Sequence, residues 1–430
     1  MGLPPTSVII VSRHRPDSLA LCLLAMTMQD HPLLEVVLVA DPASLAVRPD
    51  LRLKRVACDV ANISVARNRG IAAASGEVLA FIDDDAVAEP TWAARLAAAF
   101  ADPKVIAAGG YTRGPHGRSW QVRAEAITPN GPQALPTPPP QVRGAVHLFS
   151  PADGITLGLL GTNCAFRAGP LREVGGFDSA FPYHLDESDL VMRLAARFPR
   201  AATALVPAAE VIHGTAPSDR RDAARVPRDL TCIGRSEAIF TLRHGGDSAL
   251  IEPRQRRRLV RHMLAGRLDP LGVGPRLASL RIGMADGFAL RRPPPEALST
   301  PEASELQPMS RRAASGTLPA MVLSGPWRRR RALRRKAARV LAEAGADKPA
   351  VTVLLLMPGI LPHRICLTPG GWWEQSGGTQ GPSLPDDPVA LWLAYSARIR
   401  REAGLIVMRR NQNHHMTVAC PTDELQAYLP

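Results

Sequence analysis

The sequence predicts an α/β fold: a mostly parallel open sheet flanked by helices, then a basic C-terminal extension that includes a small α+β domain. Three observations predict it. In the N-terminal part, short apolar runs alternate with amphipathic stretches, the pattern of strands joined by right-handed helical crossovers. One apolar run ends in three aspartates, "FIDDDAV" at 81–87. The charge is also asymmetric. Residues 1–250 hold 25 basic and 25 acidic side chains, so the whole formal net charge of +13 lies beyond residue 250. Such asymmetry points to two functional units.

Each element follows from its residues. "SVIIVS" (7–12) reads as a short buried strand. "RPDSLALCLLAMTMQ" reads as a helix, with Pro16 and Asp17 near its start. "LEVVLVAD" (34–41) is a second strand. "ISVARNRGIAAASG" reads as a helix stopped by Gly76, and "EVLAFI" as the strand that ends in the aspartates. "EPTWAARLAAAF" begins a further helix with Pro90 near its first turn, and "VIAAGG" is another strand. Ligands in such sheets bind beyond the carboxyl ends of the strands, where Asp41 and Asp83–Asp85 stand. Residues 128–144, rich in Pro and Gly, read as a mobile loop over that edge. Residues 291–316 read as a linker, and 327–345 as a strongly basic helix. The divisions expected are 1–250, a basic helical region and linker at 251–345, and a small domain at 346–430.

Composition excludes several classes. The chain has 430 residues, 46% apolar and 21% charged, as in ordinary globular proteins. Six cysteines lack CxxC spacing, which argues against a zinc ribbon or disulfide scaffold and fits a reducing compartment. The N-terminus lacks the basic and long apolar regions of a signal peptide, and the longest apolar run is too short to span a bilayer. The expected location is cytoplasmic, at the inner face of the membrane.

On an extended chain Asp83 and Asp85 share a face and Asp84 points away. Two carboxylates on one face suit a hard divalent cation, Mg²⁺ or Mn²⁺; the plain reading is a solvated acidic turn. In "YHLDESDLVMRLAARF" (183–198), Asp186 reads as an N-cap and Asp189 as the partner of a capping box. Glu187 has no such duty, although the helix dipole favours an acid there. In "VPAAEVIHGTAPSDRR" (206–221), His213 follows a strand and can complete a metal site, and Arg220 and Arg221 suit a phosphate.

In order and spacing, "SVIIVSRHRPDSL", "EVVLVAD", "NISVARNRGIAAASGEVLAFIDDDAV", "GTNCAFRAGPLREVGGFDSAF", "LDESDL" and "VIHG" resemble bacterial family 2 inverting glycosyltransferases with the GT-A fold, over residues 5–245. The resemblance implies a nucleotide-diphosphate sugar donor, UDP-sugar favoured, and a divalent metal cofactor. Asp41 and Ser12 would meet the base, Asn62 and Arg67 the base and ribose, and Asp84 the ribose. Asp85, Asp83 and His213 would hold the metal. Gly161, Thr162 and Asn163 would flank the donor sugar, and Arg220 and Arg221 would face the diphosphate. Glu187 matches the catalytic base, with Asp186 or Asp189 in reserve. The start "VSRHRP" departs from the family's usual "PTYNR"-like one, and Pro42 and Ala43 follow Asp41 where Gly or Ser is common. The acceptor implied is a glycan or a lipid-linked glycan, in surface polysaccharide or glycolipid assembly.

The basic run at 328–336 reads as a solvated face or as contact with an anionic membrane. Nucleic acid is disfavoured, since no helix-turn-helix, RNP-type or zinc motif accompanies the charge. Trp372 and Trp373, in "GGWWEQSGG", either pack under a loop or stack on a sugar. Two rival functions stand beside the transferase. A nucleotidyltransferase would want a glycine-rich phosphate loop after the first strand, which "VSRHRPDSL" lacks. A non-catalytic carbohydrate-binding protein would not need Asp83–Asp85, Glu187 and His213 together.

Overall fold

The structure is a computed structural model. It describes residues 2–135, 145–214, 226–299, 305–309, 319–345, 348–410 and 416–419. In chain order the first elements are β1 (Thr6–Ser12), α1 (Pro16–Met26), β2 (Leu34–Ala40), α2 (Pro42–Leu45), β3 (Lys54–Ala57), α3 (Ile63–Ala73) and β4 (Val78–Asp83). Next come β5 (Ala86–Ala88), α4 (Trp92–Ala99), β6 (Val105–Arg113), β7 (Trp120–Val122), β8 (Glu125–Thr128), β9 (Gly131–Ala134), β10 (His147–Phe149) and β11 (Leu157–Gly158). They are followed by β12 (Cys164–Arg167), α5 (Ala168–Glu173), α6 (Asp186–Arg197), β13 (Ala202–His213), α7 (Thr231–His244), α8 (Ile251–Leu264) and α9 (Val273–Ala289). The C-terminal elements are β14 (Ala320–Pro326), α10 (Arg330–Glu343), β15 (Ala350–Met357), β16 (Arg364–Leu367), β17 (Trp373–Gly378), α11 (Tyr395–Arg410) and β18 (Met416–Ala419).

Val8 and Ile10 pack into one apolar cluster and Ile9 into another; Val36 and Leu38 divide from Val37 and Val39 in the same way. Alternate side chains point to opposite faces of a strand, so both faces of this sheet are covered. That is why its strands read as unbroken apolar runs rather than alternating ones. The main sheet has the order β10-β13-β6-β12-β4-β1-β2-β3, with β5 on β13 and β7 on β6. β3, β2, β1 and β4 run parallel, as do β6 and β13; β12 lies antiparallel between β4 and β6. The chain is thus mixed α/β with a mostly parallel sheet flanked by helices.

Several local expectations are corrected. α3 ends at Ala73, three residues before Gly76. Gly76 instead permits a close approach, since a Cβ there would lie 2.5 Å from the Ser7 backbone nitrogen. Residues 128–134 belong to the β8–β9 hairpin, not to a loop; the rest of that stretch, 136–144, lies outside the described residues. Trp373 opens β17 and is fully buried under the Arg410 guanidinium, 4.1 Å away, so it packs and does not meet a sugar. The five described cysteines are free, and Cys420 lies outside the described residues.

The C-terminal sheet has the order β16-β17-β15-β14-β18. β14 pairs in parallel with β15, and α10 is the crossover between them. A division at 345/346 would therefore run through one sheet. The basic helix is part of it, burying Leu333, Ala337 and Leu341. α11 docks on the N-terminal part: buried Arg410 pairs with buried Glu89 at 2.8 Å, and Thr91 Oγ1 donates to the Arg409 carbonyl. Part of the expected linker is strapped down too. The Gln307 N–H donates to Glu35 Oε2 and the Met309 N–H to the Leu34 carbonyl.

His31, beneath β1, has one ring face of the hydrogen-bonding set to each side. Nδ1 accepts from the Leu33 N–H, and Nε2 meets Thr6 Oγ1 at 3.2 Å. Burial holds its pKa down to about 4. As pH falls below the ordinary value near 6.5, the unfolded chain takes a proton that the folded one refuses. Stability is therefore lost between pH 6.5 and 4, by about 3 kcal/mol from this residue. His31→Gln should flatten the difference between urea unfolding curves at pH 7 and pH 4.5.

Candidate active site

A cleft of about 390 Å³ opens at the carboxyl ends of β1 and β4. Asn62 and Arg67 of α3, Asp83 and Asp85, Thr162, Asp186 and Glu187 of α6, and His213 line it together. These residues come from five separate stretches. The sheet topology assembles them, because β1, β4 and β13 all deliver their carboxyl ends to this edge.

The aspartates' charge is divided among named partners. Asp84 points into the protein and is wholly buried; Ser12 Oγ donates to its Oδ2 at 2.7 Å, and Arg15 pairs with its Oδ1 at 2.5 Å. Burial still pushes its pKa up to about 7, against the pull of Arg15. Arg15 also reaches Asp85 at 3.4 Å, and Arg67 reaches Asp83 at 3.4 Å. The donor atoms of Asp83, Asp85 and His213 all lie within 4.8 Å of one another. His213 Nδ1 bonds Gln121 Oε1 at 3.0 Å, which sets the proton on Nδ1. Its Nε2 faces Asp85 Oδ1 at 3.2 Å and Asp83 Oδ2 at 3.8 Å. Three acceptors converge there, and a divalent cation fits such a donor set of carboxylates and imidazole.

On α6 the expected capping box is absent. The N-cap position is Leu185, in the left-handed region at φ 62°, with no side-chain cap, and Asp186 lies inside the helix. A non-glycine residue held at positive φ is a local cost, met where the surroundings over-determine the backbone. Here the turn sets Asp186 against the Arg67 guanidinium, with which it forms a buried ion pair. Glu187 Oε1 accepts from the Gly161 N–H at 3.4 Å. A Cβ on Gly161 would lie 2.4 Å from Arg67 Nη2, so a side chain there would displace the guanidinium. Burial pushes Asp186 well up, whereas for Glu187 Arg67 and the Asp186 hydrogen bond outweigh burial and lower the pKa. Of the two, Glu187 is the more readily ionised. Arg67 is held cationic by Asp186, Asp83 and Glu187 against the opposing effect of its burial.

Other expected site residues lie outside the cleft lining. Asp41 is the N-cap of α2: its oxygens accept from Ala43 N, Ser44 N, Ser44 Oγ and His14 N. Despite burial, those bonds hold its pKa at about 2. Ser12 and Asp84 are spent on each other. Asn163 donates to the carbonyls of Tyr111 and Ala209 and accepts from Trp92 Nε1. Asp189, fully buried, pairs with Arg193, Arg243 and His244, which overcome burial to hold it near 2. It does not reach the cleft. Asn62 lines the cleft, but its side chain caps α3 through the Val65 N–H and donates to the Ser179 carbonyl. Arg220 and Arg221 lie outside the described residues. Sequence reasoning missed Arg15, Gln121 and Tyr183. Arg15 stands in "VSRHRP", where an unpaired cation one turn beyond a strand end could have been set against the aspartates.

Residues 7–174 match the family model described as Glycosyl transferase family 2. The match covers about two fifths of the chain and takes in β1 through α5. Among solved structures, the chain is similar to GalNAc-T7 with UDP, GalNAc and Mn²⁺, at 16% identity and TM-score 0.39, over 49% of this chain and 44% of that one. It is similar to S. aureus TarS at 16% identity and TM-score 0.38, over 67% and 54%. It is also similar to the mannosyltransferase PcManGT from Pyrobaculum calidifontis in complex with GDP-Man and Mn²⁺, at 17% identity and TM-score 0.36, over 68% and 77%. The match spans about half the length of the first two. No curated protein matches the chain. Among the described residues, no helix is long and apolar enough to cross a membrane.

Proposed function

We propose that the chain transfers a sugar from a nucleotide-diphosphate donor, UDP-sugar favoured, to an acceptor hydroxyl with inversion at the anomeric carbon. The observation that carries this is the meeting of the Asp83–Asp85–His213 donor set and the Asp186–Glu187 pair in one cleft of a family 2 domain. Glu187, ionised and facing the cleft, takes the proton of the acceptor hydroxyl. The hydroxyl oxygen bonds to the anomeric carbon as the bond from that carbon to the diphosphate oxygen breaks, and the nucleoside diphosphate leaves with the electron pair. Asp83, Asp85 and His213 hold a divalent cation, Mn²⁺ or Mg²⁺. When bound, it supplies Lewis-acid relief of the charge growing on the leaving diphosphate. Arg15 holds Asp84 and Asp85 in place beneath it. The acceptor is a glycan or lipid-linked glycan of surface polysaccharide or glycolipid assembly. Contact with an anionic membrane surface and a cytoplasmic location belong to the same reading.

Thermal unfolding against UDP, GDP and their sugars, with and without Mn²⁺, tests it. A ligand that binds only the folded chain stabilises it by about 2.7 kcal/mol at a hundred times its Kd. The midpoint should rise with one nucleotide only when Mn²⁺ is present, and His213→Ala should remove most of that rise. A nucleotide shift indifferent to the metal would contradict the metal role, and no shift with any nucleotide would contradict the donor class.

A further inference from the structure

α10 presents two unlike faces. Leu333, Ala337 and Leu341, four residues apart, are buried against the C-terminal sheet. Arg331, Arg335 and Arg339, four apart, stand exposed on the other side, and Arg328 and Arg329 stand exposed in the turn that precedes the helix. From Trp327 to Ala342 there is no acidic residue. The one arginine of this helix with a carboxylate partner among the described residues is Arg334, on Glu374.

The same structure gathers exposed apolar side chains at one edge. β14, β15 and β17 run parallel, so their carboxyl ends share an edge. Trp327 follows β14 and is 36% exposed. Ile360 and Leu361 follow β15, at 53% and 56%, and Trp392 stands in the segment after β17, at 84%. These side chains are held out by an ordered backbone. The Gly378 N–H donates to the Leu361 carbonyl, the Gln380 N–H to that of Gly359, and the Leu391 N–H to that of Gln380. A Cβ on Gly378 would lie 2.1 Å from the Gly359 oxygen, which shows how closely the two loops stack. Asp386, in the same segment as Trp392, reaches Arg123 at 3.8 Å. Arg123 is two residues beyond Gln121, the partner of His213, so the rim adjoins the β7 side of the cleft.

Tryptophan and aliphatic side chains beside uncompensated arginines match the interface of an anionic bilayer, where rings sit at headgroup depth and cations meet phosphate. We propose that this carboxyl edge is the surface by which the chain seats on an anionic membrane, Trp327, Ile360, Leu361 and Trp392 entering the interface and Arg328, Arg329 and Arg331, beside Trp327, meeting the headgroups. The proposal deepens the membrane contact in the transferase reading and rests on that reading only for the purpose of the contact.

The test is sedimentation of the full chain with vesicles of phosphatidylcholine alone and of phosphatidylcholine with phosphatidylglycerol. The chain should pellet with the anionic vesicles, less so as salt rises. R328Q/R329Q/R331Q should lower partitioning roughly 100-fold. W327A/W392S should lower it at high and low salt alike. All five side chains are surface-placed, so an unchanged unfolding midpoint identifies folded variants. Equal pelleting with neutral and anionic vesicles, or binding that survives both variants, would overturn the proposal. So would a chain that stays in the supernatant while the anionic vesicles pellet; if that chain shifts a single-stranded oligonucleotide, the stripe is assigned to nucleic acid. Vesicle binding needs neither donor nor metal, so its failure is read apart from a failed nucleotide shift.

Discussion

Glu187→Gln should lower the rate of sugar transfer by about 10²–10⁴-fold while donor binding stays within a few-fold, as expected when a general base is removed. The substitution keeps the side chain's shape, and an amide oxygen can still accept from the Gly161 N–H. The Arg67–Asp186 pair is untouched, so the fold has no reason to fail. Initial rates with the donor identified by thermal shift, alongside the shift itself, separate catalysis from binding. The pH dependence has a definite sign. A base works when ionised, so the wild-type rate should rise with pH and reach its plateau early, because Glu187 is held below the ordinary glutamate range. The acid limb should vanish in the variant. Asp186 cannot substitute, being committed to Arg67, nor can Asp189, which is wholly buried against Arg193, Arg243 and His244. An unchanged rate in Glu187→Gln would remove Glu187 from the mechanism.

What could be read from the sequence is what depends on near neighbours. The alternation of Val8, Ile9 and Ile10 between two cores is a property of an extended chain, and it was visible as an apolar run. The shared face of Asp83 and Asp85 follows from the same geometry. Residues whose duty is set by distant partners were not readable in this way. Asp41 looks like a ligand-facing carboxylate at a strand end, but α2 begins at once behind it and takes up its oxygens. Asn163 looks available until Trp92, Tyr111 and Ala209 arrive from other elements. Asp84 accepts from Ser12 across 72 residues and pairs with Arg15. The division at 345/346 failed for a similar reason: the pairing of β14 with β15 is long-range, and a basic helix carries no sign that its other face will cover a sheet. Gln121 escaped because it belongs to no recognisable run, and Arg15 because its partners, Asp84 and Asp85, lie some 70 residues away.

Arg67 shows how strongly such a long-range partner can count. Its guanidinium is buried, pairs with buried Asp186, reaches Asp83 and lies 5.0 Å from the Phe177 ring centroid. Arg67→Met keeps most of the volume and removes the charge. Asp186 and Glu187 would then stand side by side with no cation between them. Breaking a buried pair by deleting one partner costs about 3–5 kcal/mol, because the remaining charge is left uncompensated. Urea unfolding should show a loss of that size, and the pair should take up protons at higher pH, moving the acid limb of transfer upward. The double variant Arg67→Met with Asp186→Asn removes the stranded carboxylate and should recover much of the stability. Recovery without activity would mean that Arg67 serves the fold by neutralising Asp186 and serves the chemistry by keeping Glu187 ionised. A double variant no more stable than Arg67→Met alone would show that packing against Phe177, not charge, is what Arg67 contributes.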